Sequence, residues 1–385
     1  MIHPGLENSP IYLDYNATTP VDPRVVEAAL PYLTEHFGNP SSTHHYARAP
    51  RQAVENARAE VAHLLGADAD EIVFTAGGSE SDTLAIRGAA RANRTQGGHV
   101  ITQATEHPAV LAACRSLEDD GFRVTVLPVD HHGRVDPNDL QQAITDDTTL
   151  VTVMLANAET GTLQPVTELA AIAHAHGALI HTDAAQAAGK LGIDVAELGI
   201  DLLTLVGHKM YAPKGVGALY VRTGTRLQPT VHGGGQEQGR RAGTENVALI
   251  AALGTASRIA ADSLPESAHH LAALRDRLHQ RLAELLPGRV RPNGHPNHRL
   301  PGTLNVSITG TRGPDLLAAV PEIAAATGSA CHEGVDEPSP VLTAMGQPPE
   351  RAVAALRLTL GRWTTAEDVE QAAQLIAARA VQSEG

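Results

Sequence analysis

Lys209 closes a nearly all-apolar run, "LLTLVGHK". An ammonium there carries a desolvation cost unless it is paired or neutralised, and condensation with an aldehyde to a Schiff base removes the charge. Asp183 ends another such run, "ALIHTDAAQAAG". A carboxylate in that place can pair a pyridinium nitrogen, the partner that a pyridoxal ring needs to act as an electron sink. Gly78 and Ser79, in "TAGGSESDTLAI", follow a β-rich run and open a helical one. Backbone N–H groups at that helix start, with the Ser79 hydroxyl, could hold a phosphate. Each residue has a plainer reading: lysines snorkel, aspartates cap helices, and glycine turns are common. The conjunction of the three favours chemistry.

Cys331 adds a nucleophile. It lies in "TGSACHEGVDEPSP", among glycine, proline and polar residues, which is loop composition and not core. The chain has only two cysteines and no CxxC pair, so neither a disulfide framework nor a cysteine zinc site is expected, and the thiol is free to react. Cys114, in an alanine-rich helical run, reads as core. Twenty histidines do not change the metal expectation. His174 and His176 are two apart and face different sides of a helix, and the pairs at 44–45, 131–132 and 269–270 are adjacent, so no dedicated metal site is expected.

The elements that must position these residues alternate. "EIVFTAG", "HVITQATEH", "LVTVMLANAETG" and "ALIHTDAAQ" are β-rich, and the first three are followed by helical runs such as "SESDTLAIRGAARAN" and "PAVLAACRSLEDDG". That rhythm specifies an α/β fold with a mostly parallel sheet covered by helices, in which ligands bind at the carboxyl ends of strands. Those ends carry Gly78 and Ser79, His107, Glu159, Asp183 with Gln186, and His208 with Lys209. Beyond about residue 255 the pattern changes to "HHLAALRDRLHQRLAELL", "GTLNVSITG" and "AALRLTLGRW". We expect a large domain over 16–255 and a smaller α+β domain from 1–15 and 256–385.

The 29 basic and 43 acidic residues give a net charge of −14, which disfavours a nucleic-acid partner. No basic segment precedes an apolar one at the start, and no uninterrupted apolar run reaches about 18 residues, so a cytoplasmic chain without membrane attachment is expected.

The ordered set "YLDYNATTPVDP", "FGNPSSTHHYA", "EIVFTAGGSESD", "TEHPAV", "NAETG", "HTDAAQAAGK", "GHKMYAPKGVGALYVR", "HGGGQEQGRRAGTENV", "GSACHEG" and "LRLTLGRWTTAED" resembles the cysteine desulfurases of the NifS/IscS type. These belong to the class V aminotransferase branch of pyridoxal 5'-phosphate (PLP) enzymes. The resemblance runs in collinear order from about residue 11 to the end. It implies the aspartate-aminotransferase-like fold type I and a homodimer acting on L-cysteine. It further implies that Lys209 forms the Schiff base, that His107 lies over the ring and assists proton transfer, and that Asp183 and Gln186 bond the ring nitrogen and ring hydroxyl. Gly78, Ser79, His208 and Thr244 would hold the phosphate, Thr244 from the other subunit. Arg357 would clamp the substrate carboxylate, with Asn39 nearby. Cys331 would take the sulfur as a persulfide and pass it to a protein acceptor that the sequence does not name; its spacing to "EPSPVL" resembles the long-loop subgroup.

Three positions depart from the family pattern. Ala158 replaces an asparagine that contacts the ring oxygen. Gly78 and Ser79 stand where alanine and threonine are usual, and Val206 replaces a serine that bonds the phosphate. Cofactor binding is therefore expected to be weaker by about 1–3 kcal/mol but not lost. A PLP-dependent C–S lyase or selenocysteine lyase, and a catalytically degenerate scaffold, are the competing readings.

Overall fold

Strands of four or five β-branched and leucine-rich residues find a stable place only where both faces are covered. The computed structural model, which describes residues 3–328 and 338–382, buries them in one sheet. After the short β1 (Ile11–Tyr12) come β2 (Ile72–Thr75), β3 (His99–Gln103), β4 (Arg123–Leu127), β5 (Thr148–Thr152), β6 (Leu179–Asp183), β7 (Leu202–Val206) and β8 (Gly217–Val221). The sheet order is β2-β8-β7-β6-β5-β3-β4. Pairing is parallel from β4 through β3, β5 and β6 to β7, and β8 runs antiparallel to β7 and β2. Every residue of β2, β3, β5, β7 and β8 is buried, whereas the edge strand β4 exposes Arg123 and Val126.

Because successive side chains point to opposite faces, each strand feeds two cores. Ile101, Val151, Leu203 and Leu205 pack with the helices Arg48–Leu65 and Val166–Ala175. Val100, Leu150 and Leu202 pack on the other face, with the helix Pro108–Arg115 and with residues 84–90.

A third core joins the end of the chain to its start. The strands β9 (Val290–Asn293), β10 (Thr303–Ile308) and β12 (Ala355–Thr359) form an antiparallel sheet, and β11 (Ile323–Ala324) pairs in parallel with β1. Leu13 is buried among their side chains and those of the helix Ala366–Gln382. The 39-residue helix Val247–Leu285 serves both regions: Ile250 to Ala260 pack on the large sheet, Leu271 to Leu282 on the small one. Pro265 falls between the two stretches, at an exposed position. The most apolar part of this helix has the length and hydropathy of a membrane span, but half of it is buried inside the fold.

Candidate active site

Pairing of β6 with β7 places Asp183 opposite Thr204, so the two strands end side by side. The turn Gly207–Lys209 follows β7 directly. Asp183 and Lys209 therefore line one cavity of about 230 Å³, with Gly78, Ser79, His107, His208 and Arg357. Asp183 starts no helix; its Oδ1 accepts the Ala185 N–H at 2.8 Å, and the helix-cap reading of this residue falls away. His107 does cap a helix: its Nδ1 accepts the Ala109 N–H at 3.2 Å, with Pro108 at the first helical position. His208 is held between the cavity and the N-terminal segment, its Nδ1 3.2 Å from the Thr18 hydroxyl. Burial, then the charges of Lys209, Lys214 and Lys190, push it down to about 4, so it enters the site as a neutral ring.

Arg357 reaches the same cavity from β12. Its side chain is only 1% exposed, and its Nη2 donates to Asp14 Oδ1 at 2.7 Å. Its Nε has no hydrogen-bond partner among the described residues. A buried guanidinium with unused donor capacity suits an incoming carboxylate.

The anion end of the cavity is set by close packing. Gly77 has φ +145°, open in practice to glycine. A Cβ on Gly78 would stand 2.9 Å from Val206 Cγ2, closer than two carbons can approach. The departures at 78 and 206 are thus one packing solution, in which the valine methyl fills the space of the absent side chain. An amine for an aldehyde, a carboxylate for a ring nitrogen, and a hydroxyl beside a glycine-lined helix start make a donor set that fits PLP.

The remaining expected residues lie elsewhere. Gln186 is buried and does not line the cavity; its Oε1 accepts from Lys190 Nζ at 2.8 Å and its Nε2 donates to Asn16 O at 2.9 Å. Asn39 is exposed and accepts the Ser41 N–H at 2.9 Å. Thr244 is exposed, before the long helix, and is absent from the cavity wall of its own chain. Cys331 lies outside the described residues. The described residues on either side of its segment, Gly328 and Pro338, both line a second cavity of about 310 Å³. That cavity adjoins the first and shares His107 and Ala158 with it.

Sequence reasoning missed several members of this neighbourhood. Glu106 lines the second cavity beside Glu159, which its strand-end position had already marked as a candidate, and each has one oxygen lacking a partner among the described residues. Burial pushes Glu106 up to about 8 and Glu159 up to about 7. Lys190 is pushed down to about 7 by burial and the nearby Lys209 and Arg357. Asp82, fully buried, lines the first cavity; its spacing of three from Ser79 on one helix was a usable signal.

Comparison with known proteins agrees with this geometry. Residues 11–372 match the family Aminotransferase class-V. The chain is 49% identical over 372 residues to a cysteine desulfurase IscS of Methanosarcina thermophila, covering 96% of this chain and 92% of that relative. Among solved structures, a NifS-like protein superposes with TM-score 0.90 at 35% identity, covering 96% of this chain and 98% of the other. The structure described as SspA in complex with cysteine gives TM-score 0.81 at 37% identity, over 92% and 99% of the two chains. A sheet that ends in a lysine and an aspartate around one cavity, and this likeness over nearly the whole length, place the chain in the class V aminotransferase family, among the cysteine desulfurases of the NifS/IscS type.

Proposed function

We propose that this chain is a PLP-dependent cysteine desulfurase that converts L-cysteine to L-alanine and keeps the sulfur as a persulfide on Cys331. One observation carries the reading. Lys209 and Asp183 line a cavity that shares a wall with a second one, and the residues flanking the Cys331 segment line that second cavity.

When bound, PLP supplies an electron-accepting ring that acidifies the substrate α-carbon. Lys209 Nζ would hold its aldehyde, Asp183 its ring nitrogen, and Ser79 and His208 its phosphate. Gln186 follows the cavity-lining Ala185, and of its amide only the N–H not given to Asn16 O would be left to serve the ring hydroxyl. Arg357 binds the substrate carboxylate and fixes the α-carbon near Lys209 Nζ, which takes and returns a proton there. His107, on the wall common to both cavities, moves protons between the substrate and the Cys331 side. The Cys331 thiolate attacks the substrate sulfur: an S–S bond forms as the C–S bond breaks. L-cysteine and a thiol become L-alanine and a persulfide, with no outside oxidant.

The working form in this reading is a cytoplasmic homodimer, and the persulfide passes to a protein acceptor. Thr244 of the partner subunit would complete the phosphate site, which fits its exposure outside its own cavity. The stacked and exposed Phe37 and Tyr46, on either side of Asn39 in sequence, offer apolar area for such an interface. The two sheets with their own cores support a division into domains near residue 256.

The test is the organic product from L-cysteine under reducing conditions, wild type beside Cys331→Ala. Alanine that disappears in the variant is expected. Pyruvate that survives it would make the chain a lyase and remove the role given to Cys331.

A further inference from the structure

Two aspartates, not one, face the cofactor cavity. Asp183 and Asp82 both line it, both are buried, and no residue of the described chain donates to Asp82 Oδ1. We propose that Asp82 is a positioning residue, held as a neutral acid beside Asp183 so that Asp183 alone presents negative charge to the cofactor ring nitrogen. The inference rests on the PLP reading above.

Like charges in one buried site do not both ionise. The surroundings decide which carboxyl keeps its proton. Asp183 accepts a backbone N–H at 2.8 Å, whereas Asp82 Oδ1 has no partner among the described residues. Asp82, on the helix Gly78–Thr83, faces carboxyls from two other elements, Asp183 at the end of β6 and Glu106 after β3. The cation on this side is Lys209, whose amine the cofactor would take. Burial and the Asp183 charge hold Asp82 well above the usual carboxylate range.

The groups on its other side are polar and uncharged. Thr204, the residue paired with Asp183 across β6 and β7, sets its hydroxyl beside the Asp82 carboxyl and offsets the effect of burial only in part. The Thr204 hydroxyl lies 3.1 Å from His181 Nε2, and His181 Nδ1 lies 2.8 Å from the Thr152 hydroxyl. His181 Nε2 is 3.9 Å from Asp82 Oδ1, but full burial pushes this ring down to about 3 and keeps it neutral. It offers no counter-charge for an ionised Asp82. With one oxygen lacking a partner among the described residues and only the Lys209 amine as a cation beside it, a fully buried Asp82 is held in its neutral form.

Two readouts test this. In the infrared difference between wild type and Asp82→Asn, the C=O stretch of a neutral carboxylic acid is expected to vanish at neutral pH, with or without cofactor. Thr204→Val, which keeps the acid but removes the hydroxyl beside it, is expected to move that stretch to higher frequency and assigns it even if the asparagine variant does not fold. In holoenzyme, the pH midpoint of the visible cofactor band is expected within about 0.3 unit of wild type in Asp82→Asn and displaced in Asp82→Ala. Loss of a carboxylate signal in place of a carboxylic acid signal, or a midpoint lowered by about one unit or more in Asp82→Asn, would overturn the proposal. A wild-type protein that takes up no PLP would overturn the cofactor reading instead, and the infrared result would still decide the state of Asp82.

Discussion

The floor of the first cavity and the wall of the second are made of different material. The floor is strand ends: Asp183 closes β6, and Lys209 follows β7 by three residues in a short turn. Its groups are fixed by the register of a sheet buried on both faces. The wall of the second cavity is loop and helix start, with Glu106, Glu159, Gly328 and Pro338 to Val341. Its carboxyls have been pushed toward neutral pH by burial. A rigid floor suits a group that must be held in one place, and a wall of loops suits a nucleophile that must approach and leave. His107 and Ala158 lie on the wall the two cavities share, and Arg357 enters the first cavity from the small sheet.

The largest effect that would break this division is on the floor. Lys209→Ala is expected to lower turnover by roughly 10⁴-fold. It should also release the cofactor on gentle dialysis, whereas wild type keeps its visible absorption band. An active, yellow alanine variant would mean that another amine, Lys190 or Lys214, holds the cofactor.

Arg357 tests what the small sheet contributes to the first cavity. Arg357→Ala leaves Asp14 facing a buried vacancy and is expected to cost about 3 kcal/mol in denaturant unfolding. Arg357→Lys keeps the charge and loses the fork, so KM for L-cysteine should rise about tenfold with a smaller change in kcat. An unchanged KM would remove Arg357 from the substrate site.

The wall should respond to pH in the apoprotein. The Glu106 carboxyl is held up to about 8 in the folded chain, against an ordinary value of 4.5. Between those values the unfolded chain binds fewer protons than the folded one, so the contribution of this group to stability falls as pH rises and levels off above about 8. Relative to wild type, Glu106→Gln should gain about 1–3 kcal/mol on going from about pH 5 to about pH 8.5. A pH-independent difference between the two proteins would mean that Glu106 is ionised in the fold.

The smallest effect sharpens the picture of the anion end. Gly78→Ala is expected to weaken PLP binding about tenfold in wild type, about 1.4 kcal/mol, through the clash with Val206 Cγ2. In a Val206→Ser background the same change should be nearly silent, a coupling of about 1 kcal/mol measured by cofactor titration. Additive effects would separate two positions that the geometry joins.

Much of the site was legible along the chain. Lys209, Asp183 and Ser79 stand at the ends of β-rich runs, and parallel strands send such ends to one edge, so the sequence order of runs and polar residues already implied a shared cavity. Cys114 read as core because its neighbours are alanines, and it is buried. The helix start after His107 was also legible, because a proline at the first helical position marks it.

Other features had no local signal. Glu106 is an ordinary acidic letter until burial denies one of its oxygens water and a partner, and the strand-end position of Glu159 did not show that burial would do the same there. Asp14 and Arg357 are 343 residues apart and meet only because the start of the chain joins the small sheet. The departures at Gly78 and Val206 read as two separate losses, and only their 2.9 Å approach shows one packing solution.

What the sequence by itself determined was the periodicity of its elements and the chemistry at their ends, because residue type and spacing act over a few residues. The tertiary structure alone decided which carboxyls can ionise, which donors remain unused and which substitutions compensate one another. Those properties depend on distances of a few ångströms and on exclusion of water, and both are created by contacts between segments far apart in the chain.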